Sequence, residues 1–96
     1  MVYRVKRLAI LGSTGSIGRQ TLEVVRAFPQ RFQVVALTGG RNLTLLKAQV
    51  REFKPKLVST ESGARGERMS GASHLSMEEI AAHPDVELVV VATAGK

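Results

Sequence analysis

The stretch Leu8-Ala9-Ile10-Leu11-Gly12-Ser13-Thr14-Gly15-Ser16-Ile17-Gly18 decides how the chain folds. A short apolar run that breaks into glycines and then opens a helical pattern is the strand, turn and helix by which α/β proteins aim backbone N–H groups and the positive end of a helix dipole at a phosphate. The spacing is G-x-x-G-x-x-G, longer in its first gap than the dinucleotide fingerprint G-x-G-x-x-G. It is not the P-loop, because no Gly-Lys-Ser/Thr follows, so a kinase or NTPase is a poor reading. Gly12 leaves the strand by a tight turn, Gly15 lets a diphosphate approach the backbone, and Gly18 lets the helix pack close to the sheet. Ser13, Thr14 and Ser16 add hydroxyl donors. The alternative is a glycine turn with no ligand.

Outward from this turn, apolar runs alternate with helical patterns, the signature of βαβ units and a parallel sheet. The first strand spans 7–11. After it Ile17, Leu22, Val25 and Phe28 recur near helical spacing, and Pro29 stops the helix. A second strand over 33–37 gives way to Thr38-Gly39-Gly40-Arg41-Asn42. Leu43, Leu46, Val50 and Phe53 then line one side of a second helix, capped by Asn42 and ended by Lys54-Pro55. Residues 56–59 form a short third strand. The Ser, Gly, Arg and Glu of 60–73 predict a solvated, weakly structured loop. Ser76 and Glu79 make a capping box for a short helix over 77–82. Residues 88–92 predict a strand buried on both faces, as a central parallel strand would be. The pattern is an α/β, Rossmann-like parallel sheet: one mononucleotide-binding half with strand order 3-2-1-4, as a single domain over 1–96. Ligand is expected at the switch point between the first and fourth strands, beside the glycine turn and near Thr93-Ala94-Gly95.

The chain has 96 residues, 44% of them hydrophobic, enough for one modest core. Cysteine is absent, which excludes disulfides, a thiol nucleophile and cysteine-ligated metals. Fourteen Lys and Arg against eight Asp and Glu give +6. The cations are scattered, and four aromatics leave little on which to stack bases, so no nucleic-acid partner is expected. The apolar run behind Arg4, Lys6 and Arg7 is too short for a signal peptide, and no run approaches a membrane span. A cytoplasmic protein without a membrane partner is the expectation.

In NAD-binding domains an acid at the end of the second strand accepts hydrogen bonds from the adenosine ribose 2′-hydroxyl. That position falls near Thr38, and no Asp or Glu occurs between Glu23 and Glu52. Arg41 stands instead at the mouth of the second helix, where its charge opposes the helix dipole. A 2′-phosphate would relieve that conflict, held by the side chains of Arg41 and Asn42 and the amides of Gly39 and Gly40. NADP(H) is therefore expected over NAD(H); the alternative makes Arg41 a solvated cation and Asn42 only a cap. His74 and His83 lack partners in sequence and are expected at the surface. Glu78 and Glu79 favour a helix start. No catalytic residue and no metal ligand is assigned in these residues.

The glycine segment, Thr21-Leu22-Glu23-Val24-Val25, Val34-Val35-Ala36-Leu37 with Gly40-Arg41-Asn42, and Phe53-Lys54-Pro55-Lys56 together resemble the amino-terminal NADPH-binding domain of the 1-deoxy-D-xylulose 5-phosphate reductoisomerase family. The resemblance runs across about the first sixty residues and returns at the last strand. It implies an NADP-dependent oxidoreductase of non-mevalonate isoprenoid biosynthesis. Such an enzyme rearranges 1-deoxy-D-xylulose 5-phosphate and reduces the intermediate to 2-C-methyl-D-erythritol 4-phosphate, with Mg²⁺ or Mn²⁺, as a homodimer. Carried over by position, Thr14, Gly15, Ser16 and Ile17 match residues on the diphosphate side of NADPH, and Gly40, Arg41 and Asn42 match those around the 2′-phosphate. The loop between Ser59 and Met77 is shorter than the family's. The family's metal ligands, substrate-phosphate site and lid fall beyond Lys96. The chain is thus expected to be a truncated cofactor domain, inactive alone, with an apolar edge at 88–92. A free-standing NADP-binding regulatory module is an alternative. So is the cofactor domain of another NADP-dependent reductase, such as a semialdehyde dehydrogenase or a dihydrodipicolinate reductase.

Overall fold

The computed structural model of the chain describes residues 4–93. In chain order the elements are β1 (Lys6–Leu11), α1 (Ser16–Ala27), β2 (Phe32–Thr38), α2 (Leu43–Phe53), β3 (Leu57–Ser59), β4 (Arg68–Met69), β5 (Ala72–His74), α3 (Met77–Ala81) and β6 (Leu88–Val91). They form one sheet in the order β4-β5-β3-β2-β1-β6. Its centre, β3-β2-β1-β6, is the expected parallel 3-2-1-4 arrangement, with β6 as the fourth strand.

Alternation along β1 sends Leu8 and Ile10 to the face covered by α1 and α2, and Ala9 and Leu11 to the face covered by α3. Leu22, Val25, Leu46 and Val50 complete the first core layer, and Ile80 anchors the second. The register of β1 against β2 shifts between Leu8 and Ala9, so that Leu11 pairs with Thr38. Val35 and Ala36 consequently join the same core layer. This irregularity brings the end of β2 level with the start of the glycine turn.

Three expectations are corrected by packing. Segment 60–73 contains structure: β5 runs parallel to β3 and β4 turns back antiparallel on β5. The hairpin turn is Ser70-Gly71, with φ of 50° and 93°, the left-handed pair that a tight two-residue hairpin uses. Ala72 plugs the core completely, and the Ser73 and Leu75 N–H groups donate to the Lys56 and Val58 carbonyls at 2.8 and 2.9 Å. On α1 the buried face is Gly18, Leu22 and Val25. Ile17, in the first turn, and Phe28, the residue that caps the helix at its carboxyl end, stay about half exposed. Among the described residues β6 pairs only with β1, leaving Val91 68% exposed rather than buried on both faces.

The caps follow the sequence closely. Asn42 Oδ1 accepts from the Leu45 N–H at 3.1 Å, and Lys54 ends α2 in the left-handed region before Pro55. Ser76 and Glu79 form the reciprocal capping box of α3.

Candidate functional site

The glycine turn emerges at the carboxyl end of β1 and is pinned to β2 by one residue. The Gly12 N–H lies 2.9 Å from Thr38 Oγ1 and 3.1 Å from the Thr38 carbonyl, which also accepts from the Ser13 N–H at 2.8 Å. Gly12 takes φ of +89°, open to glycine at little cost. A Cβ on Gly18 would fall 2.2 Å from the Gly12 carbonyl oxygen, whereas one on Gly15 would meet nothing closer than 3.6 Å. Gly18 is therefore required by packing, and the space at Gly15 is free for a ligand.

Helix α1 starts at Gly15 with no side-chain cap and no acid in its first turn, so its positive end faces outward undiminished. Gly15, Ser16 and Ile17 are exposed and Thr14 is half-buried, which leaves these positions accessible. Ser13 behaves differently from expectation. It is wholly buried, and its hydroxyl donates to Gln49 Oε1 at 2.7 Å instead of facing a ligand.

The loop between β2 and α2 lies against the turn: a Cβ on Gly39 would sit 3.3 Å from Thr14 Cγ2. Gly40, Arg41 and Asn42 are exposed on its outer side. Among the described residues no carboxylate pairs with Arg41. Asn42 uses Oδ1 for its cap, so its amide nitrogen is what can donate outward. The Gly39 N–H is spent on the Ser59 carbonyl at 3.0 Å, which removes one of the two amides expected to face a phosphate. At the position of the missing acid, Thr38 is buried under the turn.

A cavity of about 240 Å³ opens between these elements, lined in part by Gly12, Gly39, Gly40, Thr60, Glu61 and Thr93. Thr93 packs against Gly12, as a switch point between β1 and β6 requires. Ala94 and Gly95, expected beside it, lie outside the described residues. Glu61 is an acid that sequence reasoning missed: its Oε2 lies 3.9 Å from where a Gly40 Cβ would be. No local signal marks it, since the β2–β3 pairing alone brings it there. Gln49 was also missed, although a glutamine at helical spacing from Leu46 on an apolar face was a visible irregularity.

A larger concavity of about 520 Å³ opens at the opposite end of the sheet, bordered by Val25, Arg26, Phe32 and Phe53. It offers no free charge. Arg26 is bound by Glu52 at 2.5 and 2.8 Å and lies over the Phe53 ring. The Glu52 carboxylate raises the Arg26 guanidinium above its ordinary range, and Arg26 in turn lowers Glu52.

His74 is buried rather than superficial: its Nε2 accepts from the Thr60 N–H at 2.8 Å, fastening the segment after β3. His83 Nδ1 accepts from the Asp85 N–H in a local turn. Among the described residues no group of three His, Cys, Asp or Glu is placed to hold a metal ion, and no helix is long and apolar enough to cross a membrane.

A parallel sheet with crossover helices, a glycine turn at the switch point and an uncapped helix behind it define an α/β domain of the Rossmann-like class. Within that class the assignment is specific. The family model for 1-deoxy-D-xylulose 5-phosphate reductoisomerase matches residues 8–96, and the chain belongs to this family. A 1-deoxy-D-xylulose 5-phosphate reductoisomerase from Anaeromyxobacter sp. (strain K) is 47% identical over 100 aligned positions, covering 95% of this chain and 26% of the relative. One from Geobacter metallireducens is 49% identical over 92, covering 96% and 24%. A crystal structure of DOX-P reductoisomerase with NADPH, fosmidomycin and magnesium superposes with a TM-score of 0.82 at 36% identity, over 95% of this chain and 25% of that one. The Zymomonas mobilis enzyme in complex with NADPH gives a TM-score of 0.60 at 26% identity, over 92% and 21%. The chain thus spans about a quarter of the length of the curated relatives it matches.

Proposed function

We propose that residues 1–96 form the NADPH-binding domain of a reductoisomerase that converts 1-deoxy-D-xylulose 5-phosphate to 2-C-methyl-D-erythritol 4-phosphate in isoprenoid biosynthesis. The observation that carries this reading is the closeness of Gly39 to Thr14, where a Gly39 Cβ would fall 3.3 Å from Thr14 Cγ2; it sets the Arg41 loop beside the glycine turn, in a family whose relatives include NADPH complexes. The diphosphate lies along Thr14, Gly15, Ser16 and Ile17, receiving backbone N–H groups and the α1 dipole. Gly40, Arg41 and Asn42 hold the 2′-phosphate, with Arg41 supplying the charge and the fork of donors. Glu61 borders the same cavity, its Oε2 3.9 Å from where a Gly40 Cβ would be.

NADPH supplies the hydride for the reductive half of the reaction. The contribution of this chain is to bind and orient the cofactor. From the family reading we assign the divalent cation, Mg²⁺ or Mn²⁺, to the parent enzyme; among the described residues no group of three His, Cys, Asp or Glu is placed to hold one. From the same family reading we extend to the parent a phosphosugar substrate, assembly as a homodimer and a cytoplasmic location.

The test is amide NMR of the chain titrated with NADPH. Shifts concentrated at 14–17 and 40–42 are expected. Shifts confined to the groove around Arg26 and Phe53, or none at all, would overturn the reading.

A further inference from the structure

We propose that Gln49 is a positioning residue for cofactor selection, setting the distance between the diphosphate turn and the 2′-phosphate loop. The inference rests on the cofactor reading above. Gln49 is 3% exposed on the inner face of α2; it lies outside the lining of the 240 Å³ cavity and borders a separate concavity between α1 and α2 with Leu22 and Glu52. Its side chain meets Ser13, inside the glycine turn, with both ends of the amide. Nε2 donates to the Ser13 carbonyl at 2.9 Å, and Oε1 accepts from Ser13 Oγ at 2.7 Å. The same hydroxyl lies 3.3 Å from the Thr38 carbonyl, so turn, second strand and second helix converge on one buried point.

A carboxamide suits this point because it carries a donor and an acceptor without charge. A glutamate would lose the donor and press an anion on the Ser13 carbonyl, and an apolar residue would leave buried polar atoms unpaired. Helix α2 is rigid on this scale, and Asn42 and Arg41 stand at its amino end. Tying its middle to Ser13 therefore fixes where Arg41 stands relative to Thr14, Gly15 and Ser16. A ligand held at both phosphate sites gains from that fixed spacing, whereas a ligand lacking the 2′-phosphate engages only the turn.

The experiment measures NADPH and NADH affinities calorimetrically for the intact protein and its variants. Gln49→Met, close in volume, is expected to lower the NADPH-to-NADH affinity ratio roughly tenfold through loss of both contacts. Ser13→Ala keeps the Nε2 contact to the backbone carbonyl and is expected to lower the ratio about threefold. An unchanged ratio in folded Gln49→Met, including an equal weakening of both cofactors, would overturn the proposal by reducing Gln49 to a purely structural role. Should Gln49→Met not fold, Ser13→Ala decides alone, and an unchanged ratio there has the same force. Arg41→Ala separates the two levels: if it leaves the ratio untouched the cofactor reading itself fails, and if it collapses the ratio while Gln49→Met does not, only the positioning role fails.

Discussion

Gly18 faces the carbonyl of Gly12 across the turn so closely that a side-chain carbon on Gly18 would lie 2.2 Å from that oxygen. Helix α1 can pack onto β1 only because this residue has no side chain. Gly18→Ala must push the helix off the turn, and a loss of roughly 2–3 kcal/mol is expected in denaturant unfolding. Gly15→Ala is the contrasting case. Its backbone, at φ of −80°, accepts alanine and its nearest neighbour is 3.6 Å away, so stability should change by no more than about 1 kcal/mol. NADPH affinity should nevertheless fall roughly tenfold, because the new methyl occupies the path of the diphosphate.

Thr38 explains why a familiar exchange of cofactor preference should fail here. Thr38→Asp places a carboxylate under the turn, where Oγ1 now accepts from the Gly12 N–H, instead of beside a ribose. A cost of about 2 kcal/mol or more is expected, with no gain in NADH affinity by calorimetry. The milder Thr38→Val should cost about 1 kcal/mol, since the Thr38 carbonyl still holds Gly12.

How much of this was legible in the sequence follows from how local each feature is. The glycine turn, the Asn42 cap, the Ser76 and Glu79 box and the central strand order all rest on contacts between near neighbours or on long apolar runs, and each was readable. Strands β4 and β5 were not. They are two and three residues long, and their stability comes from the β3 edge and from Ala72 filling the core. The inward turn of Ser13 and the approach of Glu61 to Gly40 likewise depend on residues far along the chain, Gln49 and the β2–β3 pairing. At the site itself the residue types were legible but their allocation was not. Ser13, Thr38 and the Gly39 amide hold the scaffold, which leaves Thr14 to Ile17 and Gly40 to Asn42 facing outward.

The segment after β3 should respond to a change at Gly63. A Cβ there would lie 2.3 Å from the His74 ring, which is itself buried and bonded to the Thr60 N–H. Gly63→Ala should destabilise the protein by roughly 1–3 kcal/mol and speed amide exchange at Thr60.

Acid should weaken the fold through a small set of carboxylates. The Arg7 N–H holds Glu87 below its ordinary value of 4.5, helped by Arg4 and Arg7 as charges. Lys56, at 2.5 Å, does the same for Asp85 against 3.8, and the Ser76 N–H with Arg65 for Glu79 against 4.5. Because these folded-state values are depressed, the stability they give is fully present above the ordinary values and is lost as pH falls through the lowered ones. Unfolding free energy measured across pH should therefore hold level with respect to these groups down to about 5 and decline below about 4. Glu87→Gln should flatten part of that decline.

Whether the glycine turn and the Arg41 loop together hold NADPH is decided by calorimetric titration of NADPH and NADH into the protein and its Arg41→Ala variant. NADPH is expected to bind tighter by roughly tenfold or more, with the preference lost in Arg41→Ala while NADH affinity stays nearly the same. Equal affinity for the two cofactors, or a preference that survives Arg41→Ala, would contradict it.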